Sequence, residues 1–397
     1  MVYGAALKPC HHSFTPSHLL ANAEAATGLS DWGGEQWGQL RFLERLELLC
    51  RGLEQEARLD ETGRSRAHSR LHVLLCSRLR QVDRHRDLAH VKPIVAPLVG
   101  TGLPRAGTTF LHGLLASDRR NRVATATEAA LPNGSSACAE QERIALYERI
   151  LAFQGFTDAD VIAIHPYSAA APEECVFLQE AACGVLLGAF YNVPSFAALA
   201  ARSDAVADSY AWQKGMMQSL QDERPEGRWL LKAPSHIINI EALFATFPDA
   251  RLFINHRDPG KVIPSMASLY MKLHSLVSGV SVDAAELGHR LVANWKTILD
   301  RMDAWRIAHP EATIVDVHYT ALIADPIGTA ERLYAAFDLP LSEVTRQAMR
   351  THLAVDHHGK GPARQYCLAD FGLAETDIEE AFGHYIERHG VLREARS

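Results

Sequence analysis

The chain has 397 residues, which at roughly 150 residues per domain allows two to three domains. Hydrophobic residues make up 47% and charged residues 22%, a globular balance that excludes wholesale disorder. With 40 Lys and Arg against 47 Asp and Glu, the net charge of −7 excludes a generally basic nucleic-acid binder, yet leaves room for a local cationic pocket.

The cysteines, Cys10, Cys50, Cys76, Cys138, Cys175, Cys183 and Cys367, are odd in number and form no CxxC pair. That pattern argues against a zinc ribbon, a thioredoxin-type centre and a disulfide framework, and points to a reduced, cytoplasmic compartment. The start, Met1-Val2-Tyr3-Gly4, lacks the basic-then-apolar signature of a secretory signal. No uncharged apolar run reaches the roughly 18 residues of a membrane span, so no integral membrane segment is expected.

In chain order, residues 1 to about 30 are weakly patterned and read as an arm. From Glu35 to Arg58, Leu40, Leu43, Leu46, Leu49 and Leu53 recur at helical spacing. Arg64 to Val82 repeats the pattern with Leu71, Leu74, Leu75 and Leu79. Residues 1–90 are therefore expected to form a helical N-terminal extension packed on the core. The period then changes. Pro93–Val99, Trp229–Lys232, Arg251–Asn255 and Thr313–Val317 read as strands. Thr108–Ser117, Asn239–Phe247, Lys261–Leu276, Ala285–Ala308 and Thr329–Phe337 read as helices between them. Such alternation predicts an α/β fold over residues 91–397, a P-loop-like parallel sheet flanked by helices. Ligands of these sheets sit beyond the carboxyl ends of the strands, which singles out the loops starting at Gly100, Ala233, Arg257 and Tyr319.

Gly102-Leu103-Pro104-Arg105-Ala106-Gly107-Thr108-Thr109 joins the first strand to its helix. Its two glycines, five residues apart, let the chain curl so that backbone N–H groups face inward beside a helix N-terminus, which is how a loop grips phosphate. Thr108 stands where a Walker loop carries lysine, and Arg105 supplies a cation from within the loop. A kinase or ATPase needs that lysine and a carboxylate for Mg²⁺. The nearest Walker B-like string, Thr313-Ile314-Val315-Asp316, is a weak match. The loop therefore suits a nucleotide used without a metal; the competing reading is a glycine-rich turn with no ligand.

Pro104-Arg105-Ala106-Gly107-Thr108-Thr109 resembles the 5′-phosphosulfate loop of the sulfotransferases that use 3′-phosphoadenosine 5′-phosphosulfate (PAPS). The likeness is to the bacterial and tyrosylprotein-type branch, whose loop reads Pro-Arg-Ser-Gly-Thr-Thr; alanine replaces the serine here. The block from Arg251 to Ser265, with Arg257-Asp258-Pro259, is similar to the one in which an Arg/Ser pair holds the 3′-phosphate. Trp229-Leu230-Leu231-Lys232-Ala233-Pro234-Ser235-His236 is similar to the family's strand with a catalytic lysine, and Tyr319 to Pro326 also recurs there. These matches keep their order over about residues 93–375. The resemblance implies a metal-independent transfer of a sulfuryl group from PAPS to a hydroxyl of a small-molecule acceptor. It assigns Arg105, Ala106, Gly107, Thr108 and Thr109 to the 5′-phosphosulfate and Arg257 with Ser265 to the 3′-phosphate. It also gives Lys360, in Gly359-Lys360-Gly361 with Arg364 nearby, to a further phosphate-binding loop. Spacing agrees for the Arg/Ser pair: a loop arginine and a serine two turns into the next helix, eight residues on, can converge on one anion.

In sulfuryl transfer the acceptor oxygen, sulfur and leaving oxygen lie in line, so catalysis is mainly positioning and charge stabilisation. Lys232 and Arg105 are the candidate cations for the leaving phosphate. Glu128, in Ala126-Thr127-Glu128-Ala129-Ala130-Leu131-Pro132, occupies the stretch where the resemblance places a glutamate base. His236 is the second choice; His165, Glu173 and Glu174 are further alternatives, although two glutamates at a helix start also complement its dipole. Phe190, Tyr191, Phe196, Trp212, Tyr270 and Met271 fit either an apolar acceptor wall or, more commonly, ordinary core. On residues alone two other classes stay open, an Mg²⁺-dependent P-loop kinase or NTPase and a non-catalytic nucleotide-binding protein. Thr108 speaks against the first; Arg105, Lys232, Arg257 and Ser265 together speak against the second.

Overall fold

The computed structural model describes residues 3–8, 13–88, 90–132, 140–162, 167–184, 186–224, 227–277, 282–355 and 366–394. The chain divides into two units. Met1–Ile94, Ala124–Pro225 and Met271–Ser281 make a helical unit; Val95–Val123, Glu226–Tyr270 and Val282–Ser397 make a unit built on a sheet. Among the described residues no helix is long and apolar enough to cross a membrane.

The sheet unit has, among the described residues, the strands β1 (Leu98–Gly102), β2 (Asn121–Arg122), β3 (Arg228–Lys232), β4 (Arg251–His256) and β5 (Ile314–His318). All pair in parallel, in the order β2-β3-β1-β4-β5, as the α/β reading requires. Val99 of β1 lies opposite Leu231 on one side and Leu252 on the other. A central strand of a parallel sheet is covered on both faces, so β1 is buried throughout and shows no polar alternation. Helices Thr108–Ala116, Tyr319–Ala324 and Pro326–Ala336 contribute Leu111, Leu115, Leu322 and Leu333 to one core with Leu98 and Phe253. Each such side chain stabilises the fold by roughly 1.5–3 kcal/mol.

β1 starts at Leu98, later than the apolar run from Pro93 predicts. Ala96 takes a left-handed φ of 42°, and Pro97 has no N–H to give to a ladder. The chain becomes a strand only beyond Pro97, whose carbonyl accepts the Arg251 N–H at 2.9 Å. β2 has no apolar pattern and is fixed by polar bonds instead. The Arg228 N–H donates to the Arg120 carbonyl at 2.7 Å, Asn121 Nδ2 donates to the Tyr334 hydroxyl at 2.9 Å, and that hydroxyl donates to Asp118 Oδ2 at 2.7 Å.

In the helical unit, the segment expected as an arm forms the helix Pro16–Thr27, which packs on the helix Glu61–Arg86 with Leu19 and Ala23 buried. Gly28, at φ 72°, ends it in the left-handed conformation that glycine adopts most readily. Glu61–Arg86 starts where the Asp60 carboxylate accepts the Gly63 N–H at 2.6 Å, and its expected face of Leu71, Leu74, Leu75 and Leu79 is buried. Much of the rest of this helix is buried too and carries charge. Arg78 donates to the carbonyls of Trp32, Ala181 and Trp37 at 3.0, 3.0 and 3.1 Å, and burial pushes its pKa down to about 9. Arg70 is paired with Glu180.

Candidate active site

Gly102 and Gly107 take φ of 136° and 80°, where a side chain would be strained. A Cβ on Gly102 would lie 2.3 Å from the Asn255 carbonyl oxygen, so only glycine lets β1 press against β4 here. Between the two glycines Arg105 is also left-handed, at φ 67°. Fully buried Asn255 holds the turn by donating from Nδ2 to the Ala106 carbonyl at 3.1 Å. Gly107 caps the helix Thr108–Ala116, whose first-turn N–H groups have no acceptor within the helix and are offered to the loop.

Two guanidiniums close on this loop. Arg105 Nε donates to Ser265 Oγ at 3.1 Å, and Arg257 Nη1 donates to the Arg105 carbonyl at 2.7 Å. Arg257 follows β4 directly and Ser265 lies in the helix Pro259–Val277, so the interval noted in the sequence does bring both to the loop. Burial lowers the Arg105 pKa and the neighbouring Arg257 lowers it further, against Tyr366 and Tyr319. Burial also opposes the charge of Arg257, but Glu394, Tyr319 and Asp258 outweigh it and its pKa is raised. The Arg257 guanidinium lies 3.8 Å from the Tyr319 ring centroid, and its Nε and Nη2 donate to Glu394 Oε1 and Oε2 at 2.7 and 2.9 Å. Two cations held together beside helix N–H groups repel one another less when an anion joins them.

Lys232 ends β3. It is only 2% exposed, yet its Nζ donates to Thr109 Oγ1 at 3.2 Å, at the start of the loop's helix. Thr101 Oγ1 fixes the turn beyond, donating to the Ala233 carbonyl and accepting the Ile237 N–H, both at 2.9 Å. His236, in the helix Ser235–Ile238, is fully buried. His112 is buried on the loop's helix, and its Nε2 has no hydrogen-bond partner among the described residues. Burial and then Lys232 push the His112 pKa down to about 3, so it is neutral at pH 7.

Glu128 belongs to the helical unit, in the helix Ala126–Ala130. It forms a capping box: Thr125 Oγ1 accepts the Glu128 N–H at 3.2 Å and the Thr125 N–H donates to Glu128 Oε2 at 2.9 Å. Arg224 Nη2 lies 3.5 Å from Glu128 Oε1. Thr125 bridges Pro172, and the Glu173 N–H donates to the Ala124 carbonyl at 2.9 Å. The alternative bases Glu173 and Glu174 thus follow the segment paired with the start of the Glu128 helix. Phe190, Tyr191, Phe196 and Trp212 are buried core of this unit, while Tyr270 and Met271 are partly exposed. His165, Gly359, Lys360, Gly361 and Arg364 lie outside the described residues.

Asp316, from the Walker B-like string, is committed to other partners. Arg306 donates to both its oxygens at 2.8 and 2.9 Å, and His256 Nε2 lies 2.9 Å from Oδ1. Burial would raise this carboxyl's pKa, but His256 and Arg306 hold it well below the usual range. Neither Asn255 nor Glu394 is among the candidates that sequence motifs mark. Asn255 is a polar break at the end of an apolar strand, which is a usable signal; Glu394 carries no local signal.

A glycine loop leading from a parallel strand into a helix, with guanidiniums gathered around it, is the arrangement of an anion-binding site at the carboxyl end of an α/β sheet. The profile of the sulfotransferase family matches residues 97–343, and the chain belongs to that family. It is an enzyme, a sulfotransferase. It is 26% identical over 304 residues, 75% of this chain and 76% of the relative, to the omega-hydroxy-beta-dihydromenaquinone-9 sulfotransferase Stf3 of Mycobacterium bovis. The crystal structure of sulfotransferase STF9 from Mycobacterium avium covers 98% of this chain and 100% of its own, with TM-score 0.83 and 26% identity. That of STF1 from Mycobacterium tuberculosis H37Rv covers 93% and 98%, with TM-score 0.73 and 31% identity. The α/β fold and the enzyme class expected from the sequence are thereby established, and the kinase and non-catalytic readings are set aside.

Proposed function

We propose that this sulfotransferase takes its sulfuryl group from PAPS and delivers it to a hydroxyl of a small-molecule acceptor, in the cytoplasm and without a metal. The observation that carries this reading is the gathering of Arg105, Ser265 and Arg257 on the Gly102–Gly107 turn. Such a set fits a ligand with two separate anionic ends. Arg105, Ala106, Gly107, Thr108 and Thr109 would hold the 5′-phosphosulfate, and Arg257 with Ser265 the 3′-phosphate; the family resemblance adds Lys360. Each charge-assisted bond contributes roughly 1.5–3 kcal/mol. When bound, PAPS supplies an activated sulfuryl group on a phosphate leaving group. Lys232 Nζ, buried and aimed at Thr109, would neutralise charge on that phosphate together with Arg105. Glu128 would take the acceptor proton, with His236 as the second choice. Thr108 in the lysine position and the commitment of Asp316 to Arg306 support a reaction that asks for no divalent ion. The relative named for omega-hydroxy-beta-dihydromenaquinone-9 supports the alcohol class of acceptor.

The test is incubation with PAPS, a chelator and a panel of alcohols, phenols and amines, followed by mass spectrometry. The expected result is gain of one sulfuryl group on a hydroxyl, with adenosine 3′,5′-bisphosphate formed in equal amount. Sulfation of amines with every alcohol inert would overturn the hydroxyl assignment.

A further inference from the structure

The helix Glu375–Arg388 is followed by a short segment that locks onto the end of β4, two consecutive residues against two. Asp258 Oδ1 accepts from Arg393 Nη1 and Asp258 Oδ2 accepts the Glu394 N–H, both at 3.0 Å. In return, the Glu394 side chain takes both Nε and Nη2 of Arg257, at 2.7 and 2.9 Å. The rest of that guanidinium is already fixed: Nη1 donates to the Arg105 carbonyl at 2.7 Å, and the plane lies over Tyr319. The two-donor edge filled by Glu394 is the edge with which an arginine grips a phosphate, since carboxylate and phosphate offer the same pair of oxygens to the fork.

We propose that Glu394 is a displaceable latch on the donor site: its carboxylate occupies Arg257 in the ligand-free enzyme, the ribose phosphate of the donor nucleotide expels it, and it returns as the nucleotide product leaves. This rests on the assignment of Arg257 to the 3′-phosphate. Only the side chain has to move, because the bonds of Asp258 to Arg393 and to the Glu394 N–H hold the segment by themselves. The exchange opposes donor and product binding alike, so the latch lowers affinity and hastens product release. A nucleotide with no phosphate on its ribose 3′ position leaves Arg257 with Glu394 and does not feel the latch.

Titration calorimetry on the full chain tests this with adenosine 3′,5′-bisphosphate and 5′-AMP, on the wild type, Glu394→Gln and Arg257→Ala. Glutamine keeps the shape and the backbone bond to Asp258, and matching thermal unfolding with the wild type checks that it folds; Glu394→Ala serves as the second variant. The expected result is bisphosphate binding about 3- to 30-fold tighter in both Glu394 variants, with 5′-AMP within about twofold of wild type. Unchanged or weaker bisphosphate binding in these variants, with Arg257→Ala also weakened, overturns the latch while leaving the Arg257 assignment intact. Equal tightening of both nucleotides overturns it too, since Glu394 would then act by its charge alone. Bisphosphate binding unaffected by Arg257→Ala overturns the underlying assignment instead.

Discussion

The Arg105 guanidinium and the Ser265 hydroxyl, 160 residues apart in sequence, meet at 3.1 Å beside the turn between Gly102 and Gly107. The serine keeps the guanidinium at the loop although burial and Arg257 both work against its charge. Ser265→Ala is expected to weaken adenosine 3′,5′-bisphosphate binding about 10- to 100-fold, as loss of a bond to a charged group does. Calorimetry reads this directly; an unchanged dissociation constant would remove Ser265 from the donor site.

The proposed function gives Lys232 a different task from Arg257. Its Nζ meets Thr109 at the start of the loop's helix, where the proposed function puts the leaving phosphate, whereas Arg257 lies beyond the end of β4. Lys232→Ala should lower kcat about 10²- to 10³-fold and change bisphosphate affinity by less than about tenfold. Arg257→Ala should do the reverse, weakening binding with little effect on turnover at saturating PAPS. Steady-state kinetics beside calorimetry separate the two; the opposite pattern would exchange their roles.

The turn's own geometry is testable through Gly102. Its φ of 136°, and the 2.3 Å that would separate an added Cβ from the Asn255 carbonyl oxygen, leave alanine no room against backbone. Gly102→Ala is expected to cost about 2–5 kcal/mol, the sum of overpacking and backbone strain. Urea unfolding measures it, and a loss below about 1 kcal/mol would show that β1 and β4 can part without penalty.

His112 predicts an acid-side loss of stability. Its folded pKa of about 3 lies below the unfolded value of 6.5, so between those values the unfolded chain holds a proton that the folded chain does not. Stability is therefore full above the unfolded pKa and falls as the pH drops toward the folded one, by about 2 kcal/mol at pH 5. His256, its pKa also lowered by burial first, adds in the same direction. Urea unfolding at pH 7.5 and 5 should show this loss, and His112→Gln should remove about 2 kcal/mol of it. An identical pH slope in the variant would contradict the assignment.

Much of the sheet unit is legible in the sequence because its strands are doubly covered and its helices long. Arg251–His256 and Ala284–Ala308 lie within a residue of their expected bounds. Local pattern fails where tertiary bonds decide. Asn121–Arg122 is a strand only because Arg228, Tyr334 and Asp118 satisfy it, and Pro16–Thr27 hides in an alanine-rich stretch with little amphipathic period. Within the site, Arg257 and Ser265 could be paired from the sequence, since the loop arginine stands only eight residues before a serine in the helix that follows. The pairing of Arg257 with Glu394 spans 137 residues and no local rule foretells it.

The most direct test of the account is the binding of adenosine 3′,5′-bisphosphate, compared with ATP·Mg²⁺, to the wild-type chain by titration calorimetry. An enzyme that clamps a donor at Arg257 and Ser265 as well as at its glycine loop should bind the bisphosphate tightly with chelator present, and ATP·Mg²⁺ far more weakly. Tight binding of ATP·Mg²⁺ with no affinity for the bisphosphate would contradict it.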